Sequence, residues 1–348
     1  ALGVRFFPGF VFMVSLEKES LEKVGIIAQH NTWVTDLSVA SEPQKLENFD
    51  GKHDFGLLLS ASRDGLLKLW FVSKSGSAVE KCVCQGHRDV VSGCHISSDG
   101  QHAISCSWDR SMKIWSVGGQ ASGEEMIGGR VDKQLSSMCV SQDDRQIFTA
   151  GGVRIDLWNS HADVKFSFGE YSWDPARHQD WISALSFVPV QKGKEKYWLL
   201  SASWDHKVKL WDVREGKLVR EFADHKKVVH CACASPDASL MASGGKEARV
   251  IMWDLQDGSK LYDIPTLSSV NAVAFNPSKY WIAMATDVGI EVWDLEDKTQ
   301  IFVEHAPPLA EHIPWATCLV WSVFPSCNEC LFVGHSDGTI TQYRVACT

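Results

Sequence analysis

Residues 86–115 read GHRDVVSGCHISSDGQHAISCSWDRSMKIW and contain every element of a repeat that runs through the chain. The stretch closes on an apolar residue, any residue, an apolar residue and Trp115. Asp109 lies six residues before that Trp, and His87 lies upstream of the acid. An Asp side chain accepts hydrogen bonds from nearby backbone N–H groups in turns. The spacing therefore predicts a tight turn that leads into a strand.

The closing phrase occurs seven times along the chain. Its copies end at Trp70, Trp115, Trp158, Trp211, Trp253, Trp293 and Tyr343. The intervals are 45, 43, 53, 42, 40 and 50 residues, which scatter around the ~40–45-residue period of a four-stranded propeller blade. Six copies carry an acid six residues earlier: Asp64, Asp109, Asp205, Glu247, Asp287 and Asp337. The third copy has Gly152 there, so we expect seven similar units with the third one altered.

A histidine precedes the acid in most copies: His30, His87, His178, His225 and, by position, His312. Ser-rich strand ends precede Arg63, Trp108 and Trp204. The set resembles the WD-repeat family, whose blades contain a hydrogen-bonded chain of Asp, His, Ser and Trp that satisfies each buried polar group. The resemblance assigns this structural role to His30, Asp64, Trp70, His87, Asp109, Trp115, His178, Asp205, Trp211, His225, Glu247 and Trp253.

The same residue types also allow a catalytic Ser-His-Asp triad to be considered. A hydrolase needs one nucleophile in one pocket, whereas this set recurs from unit to unit. The sequence contains no Walker loop and no His-Glu-x-x-His motif. We therefore predict a protein that is not an enzyme and that uses no cofactor and no small-molecule substrate.

Seven units of this length predict an all-β fold, a seven-bladed WD-repeat β-propeller. The last phrase ends at Tyr343 and leaves five residues, too few for another strand. Because an open blade edge invites aggregation, we expect residues 20–28 to supply the last outer strand and to close the ring. The propeller is predicted to span 13–348, after an N-terminal extension at 1–12. Insertions at 41–55, 191–197 and 304–314 are expected in loops on the rim.

Composition limits the partners and the compartment. The chain carries 34 basic and 43 acidic residues, a net charge of -9, so any nucleic-acid contact must come from a local patch.

An odd count of 11 cysteines without framework spacing favours a reducing compartment. Cys327 and Cys330 have the spacing of half a zinc site, but no second pair accompanies them. No window reaches the ~18 apolar residues of a membrane helix, and Pro8 disfavours a secretory signal.

Whole blades resemble one family of WD-repeat proteins. Segment 86–115 is similar to the second blade of the receptor for activated C kinase family, 235–255 to its fifth and 276–295 to its sixth. The resemblance implies a non-enzymatic, cytoplasmic scaffold on the small (40S) ribosomal subunit, near the mRNA exit. It implies that the protein recruits protein kinases, such as those like protein kinase C, and translation factors. The implied partners there are small-subunit proteins and the backbone of an 18S-type rRNA.

The resemblance also suggests where rRNA would bind. The family has Arg-Asp-Lys in the turn of its first blade, and its two basic residues contact the rRNA backbone. This chain has Arg63, Asp64 and Gly65 there, so one contact is lost. Arg88 and Arg110 follow the His and the turn acid of the second unit, and we expect them to compensate. We predict that Arg63, Arg88 and Arg110 form the rRNA-binding cluster.

A protein-interaction face is the second predicted site. Aromatic residues together with Arg or Lys on a rigid surface are typical of interface hot spots. We assign Trp33, Trp108, Trp181, Trp204, Lys246 and Tyr280 to it; packing of these rings over the blade tops is the alternative. Two other functions remain open. One is a G-protein β-like subunit, which the lack of N-terminal heptads disfavours, and the other is a WD-repeat adaptor of a different complex.

Overall fold

The computed structural model describes residues 19–40, 56–73, 76–118, 122–159, 161–169, 174–190, 197–305, 314–322 and 329–347. These residues form seven four-stranded sheets in which all neighbouring strands are antiparallel. The predicted seven-bladed all-β propeller is therefore confirmed. The predicted extension at 1–12, the insertion at 41–55 and most of the other two insertions lie outside the described residues.

Each blade is a meander of four strands, numbered here in chain order. Blade one contains β2 (Val34–Val39), β3 (Gly56–Ser62), β4 (Leu66–Val72) and β5 (Ala78–Gln85). Blade two contains β6 (Val91–Ile96), β7 (His102–Ser107), β8 (Ser111–Ser116) and β9 (Glu124–Arg130). Blade three contains β10 (Leu135–Val140), β11 (Ile147–Gly151), β12 (Arg154–Trp158) and β13 (Val164–Phe168).

The remaining blades follow the same plan. Blade four contains β14 (Ile182–Phe187), β15 (Trp198–Ser203), β16 (Val208–Asp212) and β17 (Lys217–Phe222). Blade five contains β18 (Val229–Ala234), β19 (Leu240–Gly245), β20 (Arg249–Asp254) and β21 (Lys260–Pro265). Blade six contains β22 (Val270–Phe275), β23 (Trp281–Thr286), β24 (Gly289–Asp294) and β25 (Thr299–His305). Blade seven contains β26 (Ala316–Ser322), β27 (Cys330–His335), β28 (Thr339–Cys347) and, as its outer strand, β1 (Glu19–Gln29).

The N-terminal strand closes the ring. β1 pairs with β28 from Glu19 opposite Cys347 to Gln29 opposite Thr339. Leu21 is only 5% exposed and packs in one apolar cluster with Trp281 and Tyr343. The predicted closure by residues 20–28 is therefore confirmed, one residue longer at each end.

The core lies between the blades. Each middle strand is covered by a neighbouring blade on both sides, so it is apolar on both faces rather than alternating. Every residue of β3 is buried, including Leu57, Leu58 and Leu59. Leu57 and Leu59 pack against blade two in a cluster that includes Trp115. Trp115, the closing Trp of the second repeat, is thus part of the packing between blades one and two.

Hydrogen bonds between inner strands run round the whole ring. The second residue of each inner strand donates from its side chain to the first residue of the next one. The seven bonds, which we call the inter-blade ring, run from Thr35 to Val91 O (2.5 Å), Ser92 to Leu135 O (2.6 Å), Ser136 to Ile182 O (2.6 Å), Ser183 to Val229 O (2.7 Å), His230 to Val270 O (3.1 Å), Asn271 to Ala316 O (3.0 Å) and Thr317 to Val34 O (2.6 Å).

The strand order defines two faces of the ring. The turns between the second and third strands of each blade lie at the same end as the connections to the next blade. We call this end the upper face. The two other kinds of turn lie at the opposite end, the lower face. His30, His87, His178 and His225 and their acids all belong to the upper face.

Candidate functional site

Blade two shows how the upper face is built. The His87 ring lies 2.9 Å from Asp109 through Nδ1 and 2.7 Å from the Ser105 hydroxyl through Nε2. Trp115 Nε1 donates to the same hydroxyl oxygen at 2.8 Å. Burial lowers the pKa of His87, so the ring is neutral, donates from Nδ1 to the carboxylate and accepts at Nε2. All these groups are satisfied, which fixes the turn.

Blades four and one repeat this geometry. His178 lies 2.7 Å from Asp205 and 2.7 Å from Ser201, and Trp211 donates to Ser201 at 2.8 Å. In blade one His30 lies 2.7 Å from Ser60 but 3.4 Å from Asp64. Trp70 donates to Ser60 at 2.8 Å. The blade-one turn is therefore held by a weaker His–Asp contact than the turns of blades two and four.

Blade five departs from the predicted chain. His225 contacts Ser243 at 2.8 Å, and Trp253 donates to Ser243 at 2.9 Å. The Glu247 carboxylate, however, lies 3.9 Å from His225 Nδ1, beyond hydrogen-bond distance, and Nδ1 has no partner among the described residues. The longer side chain instead accepts the backbone N–H of Lys227 at 2.7 Å. The predicted hydrogen bond between His225 and Glu247 is therefore wrong.

Blade three replaces the chain with a different one. Trp158 Nε1 donates to Thr149 Oγ1 at 2.8 Å, so a threonine takes the part of the serine. The carboxylate of Asp156 is fully buried, with Ser167 donating to it and Arg154 paired with it at 2.9 Å. The altered third unit was predicted, whereas this ion pair was not. In blade seven His335 contacts Thr341 at 3.1 Å, while His312, predicted as an anchor, lies outside the described residues.

These hydroxyls are structural groups and not nucleophiles. Ser60, Ser105, Ser201 and Ser243 are each 0% exposed. Each accepts an indole N–H and contacts an imidazole, so none faces a pocket in which a substrate could lie. Catalysis by a positioned Ser needs such access. The described residues also contain no group of three or more potential metal-binding side chains, and they form no helix long and apolar enough to span a bilayer.

Three arginines project from the upper face of blades one and two. Arg63 and Arg110 lie in the turns of their blades, and Arg88 follows His87. All three side chains are exposed, and within the described parts of the chain none has a carboxylate within ion-pair distance. The neighbouring acids are used within the turns: Asp109, for example, accepts the backbone N–H of Arg88 at 3.0 Å.

The turn position after the acid explains the glycine in blade one. Gly65 has φ +83°, and the equivalent Arg110 has φ +70°. A left-handed backbone favours glycine, so Gly65 relieves strain at the cost of one side chain. The same turn presents a cation in blade two and none at this position in blade one.

Tryptophans flank the arginines and continue round the upper face. Trp33 and Trp315 pack edge to face at 5.4 Å, and Arg63 lies over the Trp33 ring at 5.2 Å. Trp181 and Trp204 stack at 6.3 Å. These rings and Trp108 keep between 37% and 46% of their surface exposed. The four paired rings thus fit both interpretations given above, because each packs on a neighbouring ring and is also partly exposed to solvent.

A cavity of about 480 Å³ opens between some of these groups on the upper face. Trp33 and Trp315 line one side of it, and Lys246 lines it as well. Asp287 lies in its wall and accepts a hydrogen bond from Asn271 at 2.9 Å. The structure thus brings Lys246 and the Trp33–Trp315 pair to one opening.

Tyr280 does not share this face. It lies between β22 and β23, in a turn at the lower face, and its side chain is 66% exposed. The predicted grouping of Tyr280 with the tryptophans and Lys246 is therefore wrong, because the turn between the first and second strands of a blade points away from the upper face. The sequence interpretation also missed two upper-face lysines, Lys226 and Lys227, although they directly follow the conspicuous His225.

Known proteins resemble this chain over nearly its whole length. The family described as WD domain, G-beta repeat, matches residues 21–70, 79–116, 175–212 and 216–254, the four blades with a His–Ser–Trp chain. The chain is 32% identical to the small ribosomal subunit protein RACK1 of Caenorhabditis elegans, over 94% of this chain and 98% of that protein. It is 31% identical to RACK1 of Drosophila melanogaster and 31% to the MST50-interacting protein 11 of Pyricularia oryzae, with the same coverage.

Proposed function

This chain belongs to the RACK1 family of small ribosomal subunit proteins, and we propose that it is a non-enzymatic scaffold carried by the small ribosomal subunit in the cytoplasm. The upper face of blades one and two is the ribosome-binding surface. It contacts the backbone of the small-subunit rRNA near the mRNA exit. The rest of the ring then stays accessible for protein kinases and translation factors.

One observation carries this proposal above all: among the residues that the structure describes, the three arginines have no carboxylate within ion-pair distance. Arg63, Arg88 and Arg110 lie on neighbouring turns of two adjacent blades, although the whole chain has a net charge of -9. A phosphate backbone is bound through such unpaired cations, and each contact adds about one unit to the slope of log affinity against log salt.

The blade chains support the same function. They hold the backbone of the turns in blades one and two, so the turns themselves need no ordering when the arginines bind. Their buried hydroxyls and neutral imidazoles leave these residues no catalytic role. A rigid ring with surfaces on two faces suits a protein that holds partners together.

Co-sedimentation with small subunits tests the proposal. The variant Arg63→Glu, Arg88→Glu, Arg110→Glu should leave the small-subunit fractions of a sucrose gradient, and the wild type should leave them as salt is raised. The matched control reverses three exposed cations of the lower face, Arg145→Glu, Lys217→Glu and Lys298→Glu, and should still co-sediment. Undiminished co-sedimentation of the upper-face variant would refute the proposed site.

A further inference from the structure

Three lysines form a second cationic surface on the upper face, at blade five. Lys226 and Lys227 lie in the connection that leads into this blade, and Lys246 lies in its turn. All three side chains are exposed. The two segments are joined directly: Lys246 N donates to Val228 O at 3.0 Å, and Lys227 N donates to Glu247 Oε1 at 2.7 Å. The three side chains therefore project from one bonded unit, which we call the lysine patch.

Two acids close to the lysine patch in sequence form ion pairs with other cations. Glu247 is paired with Arg249 at 2.6 Å, and Asp224 is paired with Lys260 at 2.6 Å. Arg249 and Lys260 also share Asp263. Among the residues that the structure describes, no carboxylate lies within ion-pair distance of the three patch lysines. The patch thus keeps its positive charge within a protein of net charge -9.

The position of the patch separates it from the proposed ribosome-binding arginines. In a ring of seven, blade five is three blades from blade one and three from blade two, so it lies across the central channel from both. Its neighbour, blade four, presents the stacked pair Trp181 and Trp204 on the same face. A partner could therefore occupy the patch and the Trp pair while blades one and two are engaged elsewhere.

We propose that the lysine patch, with the adjacent Trp181–Trp204 pair, binds an acidic polypeptide segment of a partner protein. Partly exposed tryptophans beside cations are typical of the anchors of protein interfaces. A single-stranded nucleic acid stacks successive bases on ring faces, whereas these two rings lie against each other with planes 29° apart and use one face of each for that contact. The observations therefore favour a peptide. The inference names a partner class for the scaffold role proposed above and rests on that role only for its biological setting.

Binding of a fluorescein-labelled deca-glutamate peptide to the purified full chain tests this inference. In about 50 mM salt, where surface electrostatics are weakly screened, the peptide should bind the wild type. Variant Lys226→Glu, Lys227→Glu, Lys246→Glu should weaken that binding by at least about tenfold. The lower-face control Arg145→Glu, Lys217→Glu, Lys298→Glu changes the net charge equally and should bind like the wild type.

The two proposed surfaces can fail independently. The lysine-patch variant should still co-sediment with small subunits, which also shows that it is folded, and the arginine variant should still bind the peptide. No peptide binding by the wild type, or equal loss in the lysine-patch variant and the lower-face control, would overturn the inference. So would a labelled oligo-uridylate that binds more tightly than the peptide and is lost in the lysine-patch variant, because the patch would then be a nucleic-acid site.

Discussion

One buried hydroxyl oxygen joins two rings in each complete blade. Ser105 accepts the N–H of Trp115 and donates to His87, and no water reaches it because it is 0% exposed. A lost partner in such a place leaves two polar groups unsatisfied at once. The blade chains should therefore contribute to stability well beyond one ordinary hydrogen bond.

Ser105→Ala tests this at a single atom. The substitution leaves Trp115 Nε1 and His87 Nε2 without partners, and we expect the free energy of unfolding to fall by about 2–3 kcal/mol. Urea denaturation followed by Trp fluorescence measures it. Thr149→Ser is the matched change in blade three, since it removes a methyl group and keeps the acceptor of Trp158; it should cost about 1 kcal/mol. Equal losses in the two variants would contradict the role given to the hydroxyl.

His225 makes stability depend on pH. Burial lowers its pKa from 6.5 to about 4 in the folded protein. Between these values the unfolded chain binds more protons than the folded one, so the free energy of unfolding falls as the pH falls from 6.5 towards 4. The His225 contribution should shrink by about 2 kcal/mol between pH 7 and pH 5. Urea titrations at the two pH values measure the loss.

Two variants isolate the His225 contribution. His225→Gln removes the titrating group, and the loss between pH 7 and pH 5 should become smaller by about the same 2 kcal/mol. His206→Asn replaces an exposed histidine at φ +69°, which Asn tolerates, and should keep the wild-type dependence. An unchanged pH dependence in His225→Gln would show that other groups cause the loss. The lowered pKa values of His87 and His178, which have the same cause, contribute in the same direction.

At the scale of a strand, β1 joins the two ends of the chain into one sheet. Leu21 on this strand is 5% exposed and packs against blade six, whereas Ile26 on the same strand is 64% exposed. Leu21→Ala should lower the free energy of unfolding by about 2–4 kcal/mol, since it leaves a cavity at the closure. Ile26→Ala should change it by less than about 0.5 kcal/mol. Chemical denaturation compares them, and similar values would mean that the closure carries little of the stability.

Strands and turns that depend on residues close together in sequence were predicted, whereas the contacts within blade three, which depend on strand pairing, were not. The third strand of each blade, which contains the closing aromatic residue, was predicted together with the turn acids. Both depend on spacing within a few residues, as around Asp109 and Trp115. Blade three required knowledge of the register, which sets Thr149 beside Asp156 and leaves Thr149 to receive the Trp158 indole. The inter-blade ring carried a sequence signal that was missed, a polar residue as the second residue of every inner strand, as in Val34-Thr35 and Val91-Ser92.

The interaction residues were harder to predict than the blades. Arg63, Arg88 and Arg110 were selected from their positions in the turns, and the structure places all three on one face; their role in binding stays a prediction. Tyr280 was placed on the wrong face because spacing alone does not state at which end of a blade a turn lies. Lys226 and Lys227 stand out only when their neighbours Asp224 and Glu247 are seen to be paired elsewhere. The sequence gives only the net charge of the chain, whereas the charge that a surface presents also depends on which of its charged side chains form ion pairs.

At the scale of the whole molecule, a cation restored in blade one should strengthen the proposed ribosome contact. Gly65→Lys adds a side chain whose Cβ would lie 3.5 Å from its nearest neighbours, an ordinary contact. A side chain at φ +83° strains the backbone, and Arg110 bears the same kind of strain at φ +70° in the equivalent turn, so we expect Gly65→Lys to fold with a small loss of stability. Co-sedimentation at several salt concentrations should show a slope steeper by about one unit. Gly65→Gln, which adds length without charge, is the control; an equal effect from Gln would contradict an electrostatic contact.

The inter-blade ring has a further consequence for how the chain can be connected. Its seven bonds form a closed circle, and blade seven is the blade in which two distant parts of the chain, β1 and β28, pair across a noncovalent seam. Joining β28 to β1 through a linker and opening a lower-face hairpin would move that seam to another blade, while every blade would keep both neighbours. The contacts between blades therefore do not depend on the blade in which the chain is opened. We expect a circular permutant to form the same seven-bladed ring with the seam in a different blade.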